Sequence, residues 1–504
     1  MSTEKTLAPQ IFGADEINAV VLDPGSYSTQ FGFAGYDQPL ITTPSYFGAR
    51  GDDDVDYVFN ESTLFNPTHK PDLKINPILK YNKVVNWDAA QAHWEKLGKE
   101  LSVQPDEQPL LHTESPLNSF ENRKKGLEVA LEGLGYCGYY AVKQPTCVSF
   151  AHGRPNCLIV DIGHDLITVT PVVDGLCLNK MIKGTAIAGN FINKLLEGVL
   201  EKRGVEYVAP WQVKSKTNVE WENKDTKPVW EKKDIDMDDS VKNFIKMRTL
   251  REMKETVVEC CFDGELAIEP TSNDTDGDVD MTKDDFKLSD TELLEKPSKS
   301  MLDASTTRFF ELPNGLSIPF TLRERQLLGN SLFTPDKTIL GDSIVEGWEN
   351  PQLRNGNIRS FLVNSKDIQP KEYVPLRRSK KGEEEDLAAS KEKIGESCGL
   401  TQLVQSVLNS LDIDLKPQMA NNIILTGSTS LITNLSDRLA QELTLLNPSM
   451  KIRVHAAGNS SERKYGAWNG GSILASLGTF HQLWVSKAEW EEVGPERLVV
   501  SRFR

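Results

Sequence analysis

The sequence predicts an α/β protein of two lobes, each built on a mixed sheet, and two observations support this. The first is a strand–turn–strand pattern that occurs twice, as AVVLDPGSYSTQFGFAG around Asp23 and as NCLIVDIGHDLITVTPVVDG around Asp161. The second is the alternation of strands with amphipathic helical stretches, here over 121–134 and 188–202. Recurrence of a strand–Asp-x-Gly–strand plan indicates a duplicated unit.

Each repeated segment begins with an apolar strand that ends in a tight turn. The first strand runs into Asp23–Ser26, and a second strand, 29–33, leaves the turn. The second segment reaches its turn at Asp161–Gly163 in the same way. A third segment, NNIILTGSTSLITNLSDRL, has a strand, the turn Gly427–Thr429 and then a helical pattern.

Composition excludes several classes of protein. The chain has 504 residues, of which 38% are hydrophobic, and this suffices for a core divided between lobes. It contains no apolar run of membrane-spanning length, and its N-terminus lacks the apolar region of a secretory signal. Seven cysteines without a CxxC pair indicate free thiols in a reducing compartment and no zinc site.

The chain is acidic, with a net charge of −16 and a pI of about 5.1. A dedicated DNA-binding domain is usually basic, because contacts with phosphate supply most of its affinity. Basic partners such as histones suit this charge better, although many ordinary soluble proteins are equally acidic.

Three polar stretches interrupt the α/β pattern, at 210–239, 271–300 and 336–393. Because such composition buries little apolar area, we expect these inserts to be partly disordered. The last one contains PLRRSKKGEEED, a candidate nuclear import signal, although a lone basic cluster is more often solvated charge. The basic residues of this candidate signal are Arg377, Arg378, Lys380 and Lys381.

The two Asp-x-Gly turns are suited to holding a polyphosphate. Glycine and small residues allow backbone N–H groups to approach phosphate oxygens closely. Asp23 and Asp161 could hold Mg²⁺ through its water ligands, since Mg²⁺ dehydrates reluctantly. A single such turn is common in hairpins, but two facing turns would clamp a nucleotide tail from both lobes.

The C-terminal block over 462–504, ERKYGAWNGGSILASLGTFHQLWVSKAEWEEVGPERLVVSRFR, resembles that of actins and actin-related proteins. The segments VVNWD, LLHTESPLN and ENRKK resemble the small domain of actin. Within the family, CVSFAHGRPNCLIVDIGHD, GTFHQLWV and the RFR terminus are similar to nuclear members. The resemblance covers most of the chain outside the polar inserts. It implies a duplicated RNase-H-like actin fold, with four subdomains around a central cleft that holds ATP and Mg²⁺.

The resemblance also divides the chain into subdomains. Subdomain 1 comprises 1–44, 79–151 and 464–504, and subdomain 2, with a short and altered loop, comprises 45–78. Subdomain 3 comprises 152–187 and 394–463, and subdomain 4 comprises 188–335 with the inserts at 210–239 and 271–300. The segment 336–393 is a further long insert, which we expect to be disordered.

The nucleotide-binding residues implied by the resemblance form two groups. The phosphate turns supply Asp23, Gly25, Ser26, Tyr27, Asp161, Gly163, His164 and Asp165. The adenosine side supplies Gly189, Arg251, Lys254, Glu255, Gly427, Ser428, Thr429, Leu431 and Lys464. Asp23 and Asp161 would hold Mg²⁺ through water. Without the resemblance, Lys254 and Glu255 would be read as a solvated helix face.

Several residues of actin's nucleotide site, among them groups that organise hydrolysis, are replaced here. The replacements are Tyr27 for Gly, Gln30 for a phosphate-contacting Lys, His164 for Asp, Thr168 for the His near the attacking water, and Ser428 for Gly. Gln144 matches the water-positioning Gln and is the one remnant of a catalytic residue. Loss of a positioned proton acceptor costs about 10²–10⁴ in rate. We therefore expect ATP binding with little or no hydrolysis, the alternative being a slow actin-like ATPase.

Surfaces that actin uses for polymerisation also differ. The subdomain 2 loop near 46–73 is shorter and acidic, and the insert 336–393 falls where actin contributes to its filament. A repeated heterologous contact needs both faces intact, so we expect no filament. A groove between subdomains 1 and 3 would instead take a long amphipathic helix. Its expected lining is Phe150, Ala151, Gly153, Ile473, Leu474 and Leu477.

The resemblance thus implies a nuclear interaction subunit of histone acetyltransferase and ATP-dependent chromatin-remodelling complexes. Such a subunit pairs with actin on a helix of a scaffold or motor protein and has roles in transcription regulation and DNA repair. Whether it contacts histones or the nucleosome stays open. An enzyme of the same superfamily, such as a sugar kinase or a heat-shock ATPase, lacks the actin-type C-terminal block. A cytoskeletal actin-related protein is the third alternative.

Overall fold

The computed structural model describes residues 18–51, 56–66, 72–217, 228–233, 235, 237–262, 306–335 and 399–503. The predicted inserts 271–300 and 336–393 lie outside these residues, and so does the candidate import signal, Arg377–Lys381. Nowhere in the described ranges does a helix combine the length and the hydropathy needed to cross a membrane.

The strands and helices are numbered in chain order. The strands are β1 Val20–Pro24, β2 Ser28–Phe33, β3 Ile41–Pro44, β4 Tyr46–Arg50, β5 Asp56–Val58, β6 Lys74–Pro77, β7 Leu79–Lys80, β8 Lys83–Val84, β9 Leu110–Glu114, β10 Gly138–Lys143, β11 Cys157–Ile162, β12 Ile167–Val173, β13 Leu176–Cys177, β14 Lys183–Thr185, β15 Val213–Lys216, β16 Trp230–Lys232, β17 Arg308–Glu311, β18 Ser317–Phe320, β19 Ile423–Thr426, β20 Val454–Ala456 and β21 Val485–Ser486. The α-helices are α1 Glu61–Phe65, α2 Trp87–Glu100, α3 Phe120–Glu128, α4 Gln144–Ala151, α5 Gly189–Lys202, α6 Asp239–Val257, α7 Leu322–Asn330, α8 Leu400–Ser410, α9 Lys416–Ala420, α10 Leu435–Leu446, α11 Ser460–Lys464, α12 Gly466–Ala475, α13 Lys487–Val493 and α14 Pro495–Ser501.

The first lobe is built on a mixed sheet in the spatial order β21-β10-β9-β1-β2-β3. Strands β1 and β2 form an antiparallel hairpin, and β1 pairs in parallel with β9. Strand β9 then pairs in parallel with β10. Parallel strands require crossover connections, which α2, α3 and their loops supply between β1 and β10.

The second lobe repeats this plan. Its sheet runs β13-β12-β11-β19-β20, with β14 added on β12. Strands β11 and β12 form the antiparallel hairpin, and β11, β19 and β20 pair in parallel. The order β2-β1-β9-β10 in one lobe therefore corresponds to β12-β11-β19-β20 in the other, which confirms the predicted duplicated two-lobe fold.

Several helices start where a short polar side chain caps the first turn. Asn86 accepts a hydrogen bond from the backbone of Ala89 at the start of α2, and Thr321 forms a reciprocal capping box with Glu324 at the start of α7. The helix predicted over 188–202 is α5.

The regular helix predicted over 121–134 was wrong at its C-terminal end. Helix α3 continues as a π-helical turn, Val129–Gly133, in which the backbone N–H of Leu134 bonds to the carbonyl of Val129. The wider turn buries Val129, Ala130 and Leu131 together. The predicted helical stretch therefore ends in a π-helical turn instead of a regular α-helical one.

Each lobe has its own apolar core. In the second lobe the faces of α5, α6, α8 and α10 pack on the sheet through residues such as Phe191, Leu250 and Leu403. In the first lobe α2 and α3 pack on the other sheet through Trp94, Leu127 and their neighbours. The sheets' turns are left free of core packing, so they are available to a ligand.

The expectation that 210–239 buries little apolar area was wrong at both ends of the segment. Trp211 and Met237 are buried in an apolar cluster with Val58, Leu64 and Leu73 of the first lobe. Strands β15 and β16 form a hairpin within this range. The average composition of this segment is polar, but its two large apolar side chains, Trp211 and Met237, pack against residues of the other lobe.

We expect removal of 336–393, bridged by a short Gly/Ser linker, to leave the fold intact. The described chain ends on either side are joined directly, because the backbone N–H of Leu400 donates to the carbonyl of Leu332 at 2.8 Å. Changing the length of a closed loop costs little, about 0.6 kcal/mol per doubling. A melting temperature within a few degrees of wild type is the expected measurement. Insoluble products for several linker lengths would contradict it.

Candidate nucleotide-binding site

The two hairpin turns are built alike. The N–H of Gly25 donates to the carbonyl of Ser28 at 3.1 Å, and the N–H of Gly163 donates to the carbonyl of Leu166 at 2.9 Å. A Cβ added at either glycine would lie 3.0 Å from the same carbonyl oxygen. Glycine therefore keeps both turns tight, and tight turns of this kind can present backbone N–H groups to an anion.

The carboxylates that end β1 and β11 point into one cavity between the lobes. This cavity, of about 100 Å³, is lined by Asp23, Gly25, Ser26, Tyr27, Asp161, Gly163, His164, Gly427 and Ser428, among others. Gln144 Nε2 donates to Asp23 Oδ1 at 2.9 Å, and the hydroxyl of Thr113 donates to the same oxygen. Asp23 is therefore held by neutral donors rather than by a cation.

Burial disfavours charge on this carboxylate pair. Burial raises the pKa of Asp23, while the hydrogen bonds from Thr113 and Gln144 oppose the shift. Burial also raises the pKa of Asp161 to about 7, and the negative charge of Asp23 contributes. Two carboxyl groups that share a cavity, and that form no ion pair with the residues the structure describes, are electrostatically poised to accept a divalent cation.

The cavity fits a hydrated Mg²⁺ ion. Gln144 Oε1 is buried and has no hydrogen-bond partner within the described ranges, so it is available to a water molecule. No group of three His, Cys, Asp or Glu side chains in the described part of the chain could hold a metal alone. Asp23 and Asp161 would therefore share the ion with water and phosphate oxygens, as Mg²⁺ prefers.

The third turn closes the cavity from the side of β19. Because β19 runs parallel to β11, with Thr426 beside Asp161, Gly427 follows directly against that carboxylate. Gly427 has a φ of 89°, and a Cβ there would lie 2.5 Å from Asp161 Oδ1, so only glycine fits. Thr429 Oγ1 donates to the carbonyl of Gly163 at 2.9 Å and ties the third turn to the second.

A second, larger cavity of about 430 Å³ continues from the first. The predicted residues that line it are Tyr27, His164, Arg251, Lys254, Glu255, Ser428, Thr429, Leu431 and Lys464. Sequence reasoning missed Val258, Ile432, Thr433, Ser460, Ser461 and Tyr465, which also line it. These residues carry no motif and reach the cavity only through the packing of α6 against the third turn and α11.

Two predicted residues lie behind the cavity walls. The carbonyl of Gly189 accepts a hydrogen bond from Lys254 Nζ at 3.1 Å. Asp165 accepts from the backbone N–H of Tyr81 at 3.1 Å and from Asn190 Nδ2 at 3.3 Å. Neither residue is part of the lining of the two cavities. Asp165 thus connects the lobes instead of facing a ligand.

Helix α6 carries three charged side chains to the larger cavity. Burial lowers the pKa of Lys254 to about 7, and the nearby positive charge of Arg251 adds to the shift. Arg251 is paired with Glu255, with 2.7 Å between Nε and Oε1. A bound anion would favour the charged form of Lys254. Helix α6 can therefore place a positive charge beside the negative charge of a nucleotide.

Tyr27 and Arg251 meet across the cleft. The guanidinium carbon of Arg251 lies 3.9 Å from the centroid of the Tyr27 ring, within cation–π range. The ring of His164 lies 5.3 Å from that of Tyr27. Burial lowers the pKa of His164 to about 4, so this imidazole is neutral near pH 7. Tyr27, Arg251 and His164 border both cavities and stand at their junction.

The β7–β8 hairpin forms another link that sequence reasoning missed. Tyr81 and Asn82 both have a φ of 53°, as a tight two-residue hairpin requires. Asn82 Oδ1 accepts from the backbone N–H of Ser26 at 3.1 Å, which fixes the first phosphate turn. The same hairpin reaches Asp165 of the other lobe through Tyr81. An Asn between two short strands could have indicated this turn.

Comparison with known sequences decides the family. A sequence model described as Actin matches residues 14–504. The chain belongs to the actin family. The predicted resemblance and the predicted fold are thereby confirmed, and membership implies in general that the central cleft binds nucleotide.

Among its relatives are several fungal members of the actin family. The chain is 36% identical to actin-related protein 4 of Saccharomyces cerevisiae over 542 residues, which cover 99% of both chains. It is 38% identical to actin-related protein 4 of Candida albicans, with 100% of both chains covered. Identity to actin-related protein 4 of Schizosaccharomyces pombe is 32%, with 97% of this chain and 98% of that protein covered.

Two of the positions at which the resemblance predicts a departure from actin lie on the two phosphate hairpins. Gln30 lies opposite Asp23 across the first hairpin, and Thr168 lies opposite Asp161 across the second. The amide nitrogen of Gln30 donates to Ser28 Oγ at 2.9 Å and is therefore engaged within its own hairpin. Neither side chain brings a positive charge or a strong proton acceptor to the phosphate cavity.

The predicted partner groove is only partly as expected. Phe150, Ile473 and Leu477 are 37%, 44% and 41% exposed, so a partner could reach them. Leu474 is wrong as a lining residue, because it is 5% exposed and packs in a core cluster with Trp468. Helical periodicity turns it inward, since it follows Ile473 by one residue. Gly153 has a φ of 60°, with open space where a Cβ would lie.

Proposed function

We propose that this member of the actin family is a nuclear interaction subunit of chromatin-modifying assemblies that holds Mg-ATP between its lobes with little or no hydrolysis. One observation carries the nucleotide part of the proposal. Two equivalent turns, each with a cavity-facing carboxylate, meet at one cleft. By the resemblance to actin, Gln30 and Thr168 stand on these hairpins in place of groups that promote hydrolysis.

The residues of the cleft suit binding more than catalysis. Backbone N–H groups of the two turns would cradle phosphate oxygens, while Asp23 and Asp161 would hold the ion that bridges them. Mg²⁺ would supply the positive charge that the buried carboxylates lack. Neutral His164 and the engaged amide of Gln30 contribute no charge to a transition state.

ATP in this arrangement serves as a structural ligand. The phosphate turns come from opposite lobes, so a nucleotide between them favours the closed, folded state. A ligand that binds only the folded state adds about 4 kcal/mol at a thousandfold excess over its Kd.

A slow ATPase is the second candidate, and one contact favours it. Gln144 donates to Asp23, and its Oε1 is buried and unpartnered within the described residues. That oxygen could orient a water molecule near a terminal phosphate. Release of phosphate that disappears in Gln144→Ala would support this candidate.

The nuclear and chromatin part of the proposal rests on the resemblance to nuclear members of the family. Its structural support is the exposed apolar set Phe150, Ile473 and Leu477, which an amphipathic helix could cover. Actin and a helix of a scaffold or motor protein are the proposed partners.

We expect Leu477→Arg to abolish capture of actin and of the scaffold helix without loss of bound ATP. An arginine at this exposed position would leave a charge unpaired under the docked helix. Leu445→Arg is the matched control, because Leu445 is 74% exposed and lies on α10 of the other lobe. Pull-down from nuclear extract, with nucleotide content measured in parallel, is the test. Normal assembly of a folded Leu477→Arg protein would place the partner elsewhere.

A further inference from the structure

Two residues of the RFR segment, Arg502 and Phe503, form a contact that we call the anchor. The Phe503 side chain is 2% exposed and packs in the apolar cluster of the first lobe. The Arg502 guanidinium donates two hydrogen bonds, both of 2.9 Å, to the carboxylate of Glu489 in α13. A bidentate pair of this kind fixes orientation as well as position. The anchor is therefore held both inside the lobe and on its surface.

A chain of aromatic side chains leads from the anchor to the predicted partner groove. The Phe503 ring meets the Tyr140 ring edge-on with centroids 5.4 Å apart, and Tyr140 meets the Phe480 ring edge-on at 5.1 Å. The Tyr140 hydroxyl also donates to the carbonyl of Arg502 at 3.4 Å. Phe503 and Phe480 belong to two different apolar clusters, and Tyr140 packs against both. Tyr140 is thus the link between the anchor and Phe480.

Phe480 in turn supports the backbone of Leu477, one of the exposed groove residues. The backbone N–H of Phe480 donates to the carbonyl of Leu477 at 2.9 Å, and the N–H of Leu477 donates to the carbonyl of Leu474 at 3.1 Å. The Phe480 side chain is buried, whereas Leu477 is exposed. One short turn therefore has its inner side on the aromatic chain and its outer side in the groove. Because closely packed side chains transmit strain, loosening the inner side of the turn displaces the outer side.

We infer that the anchor positions Leu477 and thereby sets the affinity of the groove for its helical partner. The inference rests on the proposed function, since it takes the groove to be the partner site. Phe503 is a positioning residue: it lies behind the groove and acts through Tyr140 and Phe480. A groove that is already held in its bound shape needs no further ordering when the partner docks, so a loosened anchor weakens binding. None of these aromatic residues lines the two nucleotide cavities, so nucleotide content stays unchanged.

The test compares Phe503→Ala with Leu97→Ala in the full chain. Leu97 is buried in the same apolar cluster, on α2, and takes no part in the aromatic chain, so its truncation is the control for lost core packing. Hydrogen exchange at the Phe480 amide should quicken in Phe503→Ala and stay at the wild-type rate in Leu97→Ala. The concentration of immobilised protein that removes half of the actin from nuclear extract should rise only for Phe503→Ala. We expect a rise of about threefold to tenfold, the range that the loss of one aromatic pair implies.

Glu489→Ala is a second variant, which leaves the aromatic chain intact and decides the question if Phe503→Ala fails to fold. It removes the partner of Arg502, while its own backbone N–H can still donate to Ser486 Oγ at the start of α13. Both of its effects should have the same direction as those of Phe503→Ala and a smaller size.

The outcomes separate this inference from the proposed function. If wild type captures no actin, the proposed partner function fails, while exchange at the Phe480 amide still decides whether the anchor holds the turn. If wild type captures actin and the anchor variants match Leu97→Ala in both measurements, the inference is overturned.

Discussion

Purified protein in Mg-ATP is expected to retain its nucleotide and to release phosphate about 10²–10⁴ times more slowly than a competent ATPase. Binding depends on the two turns and on the Asp23–Asp161 pair, which line one cavity. Hydrolysis needs groups that organise water and stabilise developing charge, and Gln30 and Thr168 provide neither. Nucleotide content by chromatography and phosphate release should be measured on the same sample.

The same experiment can also test a substitution that should increase ATP hydrolysis. Thr168→His restores an imidazole opposite Asp161 and should raise phosphate release while leaving nucleotide content unchanged. Gln144→Ala should reduce any residual rate. Phosphate release by wild type at the rate of a filament-forming actin would refute the assignment of ATP as a structural ligand.

Asp161→Ala is expected to abolish tight binding of Mg-ATP and the thermal stabilisation that accompanies it. Asp161 supplies one of the two carboxylates that can hold the bridging ion, and no third carboxylate completes a metal cluster within the described residues. The loss should approach about 4 kcal/mol when nucleotide is present at a thousandfold excess over the wild-type Kd. Melting curves with and without Mg-ATP measure it. Equal melting and equal affinity in the two proteins would show that the site is wrongly placed.

In protein without Mg²⁺, we expect the charge of Asp161 to lower the stability instead of raising it. The pKa of Asp161 is about 7 in the folded state, whereas the ordinary value of 3.8 applies to the unfolded chain. Between these two pH values the folded state therefore binds more protons than the unfolded state. Stability without Mg²⁺ should therefore fall as the pH rises from about 4 to about 7. Asp161→Ala should flatten this part of the profile, although it weakens the protein in Mg-ATP. A wild-type profile in EDTA that is already flat would contradict the repulsion between Asp23 and Asp161.

The sequence was sufficient to predict those parts of the fold that depend on patterns of neighbouring residues. The hairpins at Asp23 and Asp161 have an apolar strand, a glycine turn and a β-rich strand in uninterrupted order, so the duplicated unit was visible. The turn at Gly427 could also be found. Its position against Asp161 could not, because that depends on pairing between β11 and β19, far apart in the chain.

Residues whose role depends on tertiary packing escaped prediction. Nothing in the surroundings of Trp211 distinguishes a side chain in a polar insert from one that anchors two lobes. Asn82 fixes the first phosphate turn through a hydrogen bond between residues 56 positions apart. Leu474 was misassigned because neighbours along a helix face different ways, and only the packed structure shows which of them is inward. In each case the deciding contact is long-range, whereas sequence patterns report local ones.

The pairing of β11 with β19 has a consequence for how the protein is made. Leu158 pairs with Ile423, so the central sheet of the second lobe is incomplete until 265 further residues have been synthesised (423 − 158). At roughly 5–20 residues per second, that interval lasts from about a quarter of a minute to nearly a minute. During it the apolar edge of β11 has no partner strand, while the first lobe already has all its strands except β21. A chaperone would therefore be needed while the second lobe is being synthesised. Truncations before residue 423 should aggregate during synthesis.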